Sequence, residues 1–465
     1  MSGAVPPVGR GPRPAGDGAL NARTEALLRR LVRRDASAAL KKVIAKTRPE
    51  DIAAGMRHLT YSEQRRLYKN IDDVDVAAEV LSYLDDESSR EITKDMAEGR
   101  VVELLERMAP DDATDIVGAL PDDLRMRVLG ALEDDETGEE VRGLLAWPTE
   151  TAGGIMSTSV FRMSVSATCG QAIAALQTQH EDLEQVYYVY IVDDQQRLVG
   201  VTSLRSLLTH SPRARLADLM VQEVITVAPG QDQEEVARFV ARYDLLAVPV
   251  VDAERHILGL VTVDDIVDVI RQEAAEDMML MAGVSDAPQR SILRQTWHRA
   301  GWLLATIGGG IVAAEVIGLY EETLMKVAVL AGFIPVIMGM GGNVGIQSAT
   351  LAVRGLATGS VQIGGVGSFL WQEARVGVLL GACYAVLLGV YGLVRFPDTP
   401  MIGVSVAASI FLAIGSAGVI GAMLPVGFDR VGADPAIATG PFVTTLVDLI
   451  GIIIYFNVAR ALLGL

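Results

Sequence analysis

The last 167 residues, Arg299 to Leu465, hold only 7 Lys or Arg and 8 Asp or Glu. A water-soluble domain of that size needs far more charge on its surface, and a membrane span needs roughly 20 apolar residues. Runs near 300–320, 327–352, 374–396, 401–424 and 437–461 predict five transmembrane helices. Trp297, Trp302 and Trp371 fall at span starts, where interfacial aromatics anchor helices. Arg290, Arg294, Arg299, Arg354, Arg375 and Arg430 fall on one side of such a bundle, and Lys326, Arg395 and Arg460 on the other. That bias predicts a cytoplasmic N-terminus, and five spans then put the C-terminus outside.

The first 298 residues are of another kind, with 33 basic and 50 acidic side chains. A surplus of that sign repels phosphates, so no nucleic-acid partner is expected. Cys169 and Cys383 lie far apart with no CxxC, which excludes a disulfide framework and a thiolate zinc site. The five histidines have no metal-ligand spacing, and no HExxH, P-loop or GxSxG occurs, so no enzyme is expected. Residues 1–20 are rich in Gly and Pro and lack an apolar h-region, which reads as a disordered cytosolic tail and not a signal peptide.

Residues 21–150 show helical periodicity and no strand pattern. Arg48-Pro49-Glu50-Asp51, Ala109-Pro110-Asp111-Asp112 and Leu120-Pro121-Asp122-Asp123 read as helix starts, with Pro in the first turn and carboxylates at the positive dipole end. A stack of short helices follows. Residues 151–270 turn strand-like. Val189–Val192 and Ala247–Val251 each run into a second strand, and Asp193/Asp252, Gly200/Gly259 and Ser203/Thr262 all stand 59 residues apart. One strand–turn–strand–helix unit is used twice, opened by Ile155-Met156 and Leu219-Met220. It resembles a tandem pair of CBS domains. Residues 271–298 return to helix and connect to the membrane part, 299–465.

Two segments in the spans carry chemistry. The second span holds Gly339, Gly341, Gly342, Asn343, Gly345, Gln347 and Ser348, where glycines permit close helix approach and the amides require a partner or water. The fifth runs Gly440-Pro441-Phe442-Val443-Thr444-Thr445-Leu446-Val447-Asp448. Asp448 has no Lys or Arg in its span before Arg460, and a carboxylate there costs roughly 3 kcal/mol. Pro441 frees carbonyls beside Thr444. Carboxylate, carbonyl and hydroxyl oxygens are hard ligands suited to Mg²⁺ or Ca²⁺.

Taken in order, the acidic helical domain, the CBS pair, the GGNVGIQSA segment and the DP…GPF…T…D segment resemble MgtE-type magnesium channels over residues 35–465. The resemblance implies a multidomain fold: an all-α N-terminal domain, an α/β tandem CBS pair, a connecting plug helix and a five-helix transmembrane pore domain. It implies a homodimer in the plasma membrane, passing Mg²⁺ and closed by cytosolic Mg²⁺. Asp448 matches the pore carboxylate, Asn343 the second-span Asn, and Thr444 and Gly440 the lining near the mouth, although the family often has Asn and Ala at the last two places in reverse order of mention: Asn where Gly440 stands and Ala where Thr444 stands.

For regulation, Asp265 and Asp268 are i, i+3 neighbours, and Glu276 returns to their face if one helix continues. Glu273 and Asp277 flank it. The resemblance places Glu79, Asp111, Asp115, Asp265, Asp268, Glu276 and Asp277 on an acidic Mg²⁺-sensing interface. It also implies a candidate ATP site at Tyr188 and Arg205. A Ser/Thr followed three residues later by Asp holds the ribose in CBS pairs; Thr262 and Asp265 keep that pattern, whereas Ser206 replaces the Asp after Ser203. The alternative is a CBS-regulated carrier of another divalent cation or of an anion. A basic pore residue would favour an anion, and these segments offer Asp448 instead.

Overall fold

The computed structural model describes residues 18–132, 136–178, 186–284, 292–361 and 365–465. The tail expected over 1–20 lies outside them except for its last three residues, because a helix already begins at Gly18. The chain divides into two compact units at Ile270/Arg271.

The first unit opens with ten short helices: α1 (Gly18–Arg33), α2 (Ser37–Ile44), α3 (Pro49–Met56), α4 (Tyr61–Tyr68), α5 (Val74–Ser82), α6 (Asp86–Thr93), α7 (Glu98–Leu105), α8 (Pro110–Ala119), α9 (Asp122–Ala131) and α10 (Glu136–Leu144). Pro49 and Pro110 stand in the first turns of α3 and α8, while Pro121 stands one place earlier, as the cap of α9. Asp73 and Asp85 cap α5 and α6 by accepting backbone N–H groups, which satisfies orphan donors at each start. Helices pack on their second neighbours: α3 on α1 and α5, α7 on α5 and α9, and α6 on α4 and α8. A two-layer superhelix results, sealed by Leu28, Ile52, Leu67, Leu81, Leu104 and Leu105.

The duplicated region follows: β1 (Arg162–Ser164), α11 (Cys169–Thr178), β2 (Tyr188–Val192), β3 (Leu198–Ser203), α12 (Leu204–Thr209), α13 (Leu216–Leu219), α14 (Gln233–Tyr243), β4 (Ala247–Val251) and β5 (Ile257–Thr262). The 59-residue offset holds at the level of register. Tyr188 pairs Ser203 and Ala247 pairs Thr262; Ile191 pairs Gly200 and Val250 pairs Gly259; each hairpin then shifts register at the next residue. The opening Met residues are exchanged between copies. Met156 packs over Gly259 of the second copy and Met220 over Gly200 of the first. Ser157 accordingly bridges to Leu260, and Val221 to Val201. Each copy therefore completes the other's sheet, a crossing that the repeat alone does not reveal.

Helix α15 runs unbroken from Val263 to Met281, across the boundary at 271 where the connecting segment is expected to begin. Residues 285–291 of the expected connection, Arg290 included, lie outside the described residues. The membrane part comprises α16 (Ile292–Gly318), α17 (Glu321–Lys326), a 3₁₀ turn (Ala328–Phe333), α18 (Ile334–Ala357), α19 (Val366–Arg395), α20 (Pro400–Arg430), a second 3₁₀ turn (Pro435–Ala438) and α21 (Pro441–Leu463). Among the described residues five helices are long and apolar enough to cross a membrane, in the places expected. The third begins at Val366 and not near 374, which puts Glu373 inside a span.

α20 packs against α18, α19 and α21. Its side facing α18 depends on glycine: a β-carbon at Gly421 would fall on the Gly345 carbonyl. Tyr455 of α21 is fully buried and donates its hydroxyl to the Leu330 carbonyl of the first 3₁₀ turn at 2.8 Å, so its polar tip is satisfied in the apolar interior. We expect Gly421→Ala to force α18 and α20 apart, at a cost of roughly 1–3 kcal/mol. Thermal unfolding in detergent should show a clearly lowered midpoint; an unchanged midpoint would refute this contact.

Candidate functional site

Asp448 sits two turns into α21, where Thr444 precedes it by one turn. Its Oδ1 is buried and has no hydrogen-bond partner among the described residues. The facing surface is the glycine run of α18. A β-carbon at Gly342 would lie 3.5 Å from Asp448 Oδ1 and 3.9 Å from the Thr444 methyl. Gly341 and Gly345 meet Val447 in the same way, so α18 and α21 approach at near-backbone distance beside the carboxylate.

Asn343 does not join this contact. With Ile346, Gln347 and Thr350 it forms an exposed face of α18, opposite the buried Gly341, Gly345 and Ser348. Three polar side chains at one-turn spacing are thus left uncovered by the chain itself, in a membrane span. The Thr444 hydroxyl donates back to its own first turn, to the carbonyls of Pro441 at 3.2 Å and Gly440 at 3.4 Å. It keeps lone pairs to offer, but its proton is spent. Gly440 precedes α21, and a β-carbon there would come within 3.3 Å of the Met281 carbonyl. The end of α15 therefore rests on the start of α21, and a side chain at 440 would require the Met281 carbonyl to give by a few tenths of an ångström.

The acidic residues of the first unit form a second constellation. Asp111, in the first turn of α8, has a buried Oδ1 without a hydrogen-bond partner among the described residues. Burial raises its carboxyl, backbone N–H groups oppose that, and Asp264 adds like charge. Asp265, at the start of α15, is pushed up to about 7, by burial first and then by Asp111 and Asp264, although it accepts the Thr262 hydroxyl. Asp115 keeps an exposed edge; its carboxyl is raised by desolvation and by Asp86 and Asp111. Glu79 is also exposed at its edge; partial desolvation raises its carboxyl first, and Glu50 adds like charge. It lies on α5, which packs against α8.

Asp111, Asp115 and Asp265 are thus drawn into one field of like charge together with Asp86 and Asp264, two residues the sequence reading did not single out. Asp86 reads in sequence as one more acid at a helix start. Asp268, Glu273, Glu276 and Asp277 all lie on α15. Its continuity meets the condition for Asp265, Asp268 and Glu276 to share a side of that helix. Among the described residues no three His, Cys, Asp or Glu side chains converge to hold a metal by themselves. Pairs of carboxylates at this density suit a cation that keeps its water, as Mg²⁺ does.

Tyr188 lines a small cleft with Phe161, Val186, Tyr187, Tyr190, Ala247 and Leu260. Arg205 is not among the lining residues. Ser203 accepts the Ser206 N–H at 3.1 Å, so the hydroxyl caps α12 where the ribose-holding pair would stand.

A soluble helical stack and a CBS pair, followed by five spans of which two meet at a carboxylate, define a multi-pass membrane protein with a soluble N-terminal region. Family models match three segments: "Divalent cation transporter" over residues 334–458, "MgtE intracellular N domain" over 47–150, and "CBS domain" over 216–272. The magnesium transporter MgtE of Thermus thermophilus is 36% identical over 432 residues, covering 91% of this chain and 95% of that protein. The magnesium transporter MgtE of Enterococcus faecalis is 38% identical over 325 residues, 70% of this chain and 72% of that one. A crystal structure of the cytosolic domain of the Mg²⁺ channel MgtE in complex with ATP matches with TM-score 0.50 and 34% identity, over 53% of this chain and 99% of that one. The chain belongs to the MgtE family.

The raised carboxyls set a sign for stability against pH. Folded Asp111, Asp115 and Asp265 hold protons more tightly than an unfolded Asp, which titrates near pH 3.9. Folding therefore takes up protons, and stability falls as pH rises, with the penalty complete only above about 7, where Asp265 has lost its proton. For metal-free full-length protein, unfolding of the soluble part should move to lower temperature between pH 5.5 and 8. Asp265→Asn should flatten that slope; an unchanged slope would show that the carboxyl is not the source.

Proposed function

We propose that the protein is a Mg²⁺-selective channel for magnesium uptake across the plasma membrane, closed by cytosolic Mg²⁺ at its acidic interfaces. The observation that carries this reading is Asp448 Oδ1, buried without a protein donor against the glycine face of α18. Mg²⁺ gives up water reluctantly, so a conducting site holds it hydrated, through a carboxylate and nearby oxygens. The chain works as a homodimer. Two copies bring two Asp448 carboxylates to the axis, where their joint potential favours a divalent over a monovalent ion. The uncovered face of Asn343, Gln347 and Thr350 then lines water, and Thr444 and the Gly440 carbonyl stand toward the mouth. The N-terminus is cytoplasmic and the C-terminus is outside, as the arginine bias requires.

Gating acts through the acids of the soluble part and of α15. With few cations, Asp111, Asp115, Asp265 and their neighbours Glu79, Asp268, Glu273, Glu276 and Asp277 repel one another, and the domains separate. Bound Mg²⁺ offsets that repulsion and favours the closed arrangement, in which α15 acts as a plug against α21. The ion shifts the balance only by binding the closed form more tightly. A relative's cytosolic domain has been crystallised with ATP. Tyr188 and Arg205 are the residues that would take a nucleotide here, and Ser206 in place of the ribose-holding Asp makes that binding weak.

Asp448→Asn retains size and removes charge. We expect purified, folded dimer carrying this change, reconstituted in liposomes, to lose Mg²⁺ uptake by about 10²-fold or more, the usual scale for a group aimed at the reacting charge. Uptake near the wild-type rate would overturn the assignment of the pore.

A further inference from the structure

Glu373 stands on the second turn of α19, inside the third span, and is 4% exposed. A carboxyl inside a membrane helix either faces a water-filled path or is paired within the bundle. Its partner is Ser348 of α18, also 4% exposed, which donates its hydroxyl to Glu373 Oε2 at 2.6 Å. α20 closes the site: a β-carbon at Gly418 would lie 3.4 Å from both the Ser348 hydroxyl and the Glu373 carbonyl. Among the described residues this is the one buried side chain–side chain hydrogen bond joining two spans.

Its location matters because of what else α18 carries. Ser348 follows Gly342 by six residues, about 9 Å along the helix. Gly342 faces Asp448, while Asn343, Gln347 and Thr350 face away from the rest of the chain. In a membrane an apolar helix gains little by choosing one rotation over another, since lipid is as apolar as its neighbours. Small-residue contacts and polar bonds must choose it. A slip of one residue turns α18 by about 100° and would swap the glycine face for the amide face at Asp448. It would also strand the Glu373 carboxyl without its hydroxyl.

We propose that Glu373 is a positioning residue of the ion pathway: through Ser348 it fixes the rotation of α18 that sets Gly342 against Asp448 and turns Asn343 and Gln347 to the lumen. The proposal rests on the reading of Asp448 as the pore carboxylate.

The test is the ratio of Mg²⁺ to Ca²⁺ influx in liposomes holding the full-length protein, followed with ion-sensitive dyes. A smaller folded fraction lowers both fluxes alike and leaves the ratio unmoved, so the ratio reports on positioning. Ser348→Ala and Glu373→Leu should each shift it by about tenfold, the low end of what loss of an outer-sphere partner does at a metal site. The double variant should shift it no further. Glu373→Gln, which retains an acceptor for the hydroxyl, should recover most of the wild-type ratio. If Glu373→Leu does not fold, Ser348→Ala decides, because it removes the donor with almost no change of volume. A wild-type ratio in Ser348→Ala, alongside an inactive Asp448→Asn, overturns the positioning role alone. An Asp448→Asn protein with wild-type flux and ratio overturns the pore reading and this proposal with it.

Discussion

A carboxylate held inside an apolar helix is the constraint on which the membrane part depends. Keeping Asp448 there costs roughly 3 kcal/mol on insertion scales. The surroundings are built for access and not for neutralisation. Among the described residues no arginine or lysine pairs with the charge, and the face opposite is glycine, which contributes backbone and space. The same glycine helix is pressed on its other side against α20, where the Gly345 carbonyl and Gly421 leave no room for a side chain. α18 therefore has little freedom to drift from Asp448. Its exposed amides supply a polar wall to whatever covers them.

The soluble part stores the same currency in another form. Burial first, and then like charge from neighbouring acids, raise the carboxyls of Asp111, Asp115 and Asp265 above the ordinary range. A divalent cation that keeps its water can relieve several such charges without a dedicated cage of ligands. Asp265 has a double engagement: it accepts the Thr262 hydroxyl and feels Asp111. It also begins α15, whose far end rests on Gly440. One helix thus carries the acids at one end and meets the start of α21 at the other.

Much of this was legible in the sequence because the signals are local. Spans announce themselves by length and apolarity, the CBS pair by its 59-residue offset, and Asp448 by being a carboxylate in the midst of an otherwise apolar helix. What was not legible depends on contacts between distant segments. The exchange of Met156 and Met220 between the two copies leaves no mark on either repeat, since each copy looks complete by itself. Glu373 was overlooked because the third span starts earlier than its hydropathy indicates, so a buried acid reads as an interfacial one. Its partner Ser348 lies 25 residues away on another helix. Asp86 and Asp264 were passed over as ordinary helix-start acids, and only the packing of α6 on α8 and the field at α15 show them to be part of the cluster.

The central claim is that cations gathered by the soluble carboxylates close a pathway governed by Asp448. It is tested most directly by single-channel recording in excised patches while Mg²⁺ on the cytosolic face is titrated. The account predicts that open probability falls steeply at millimolar Mg²⁺, the range expected for sites of modest ligand number. It further predicts that Asp265→Asn with Asp268→Asn and Glu276→Gln shifts that closing curve to higher Mg²⁺ and makes it shallower. A wild-type channel indifferent to cytosolic Mg²⁺, or a triple variant whose curve overlays the wild type, would contradict it.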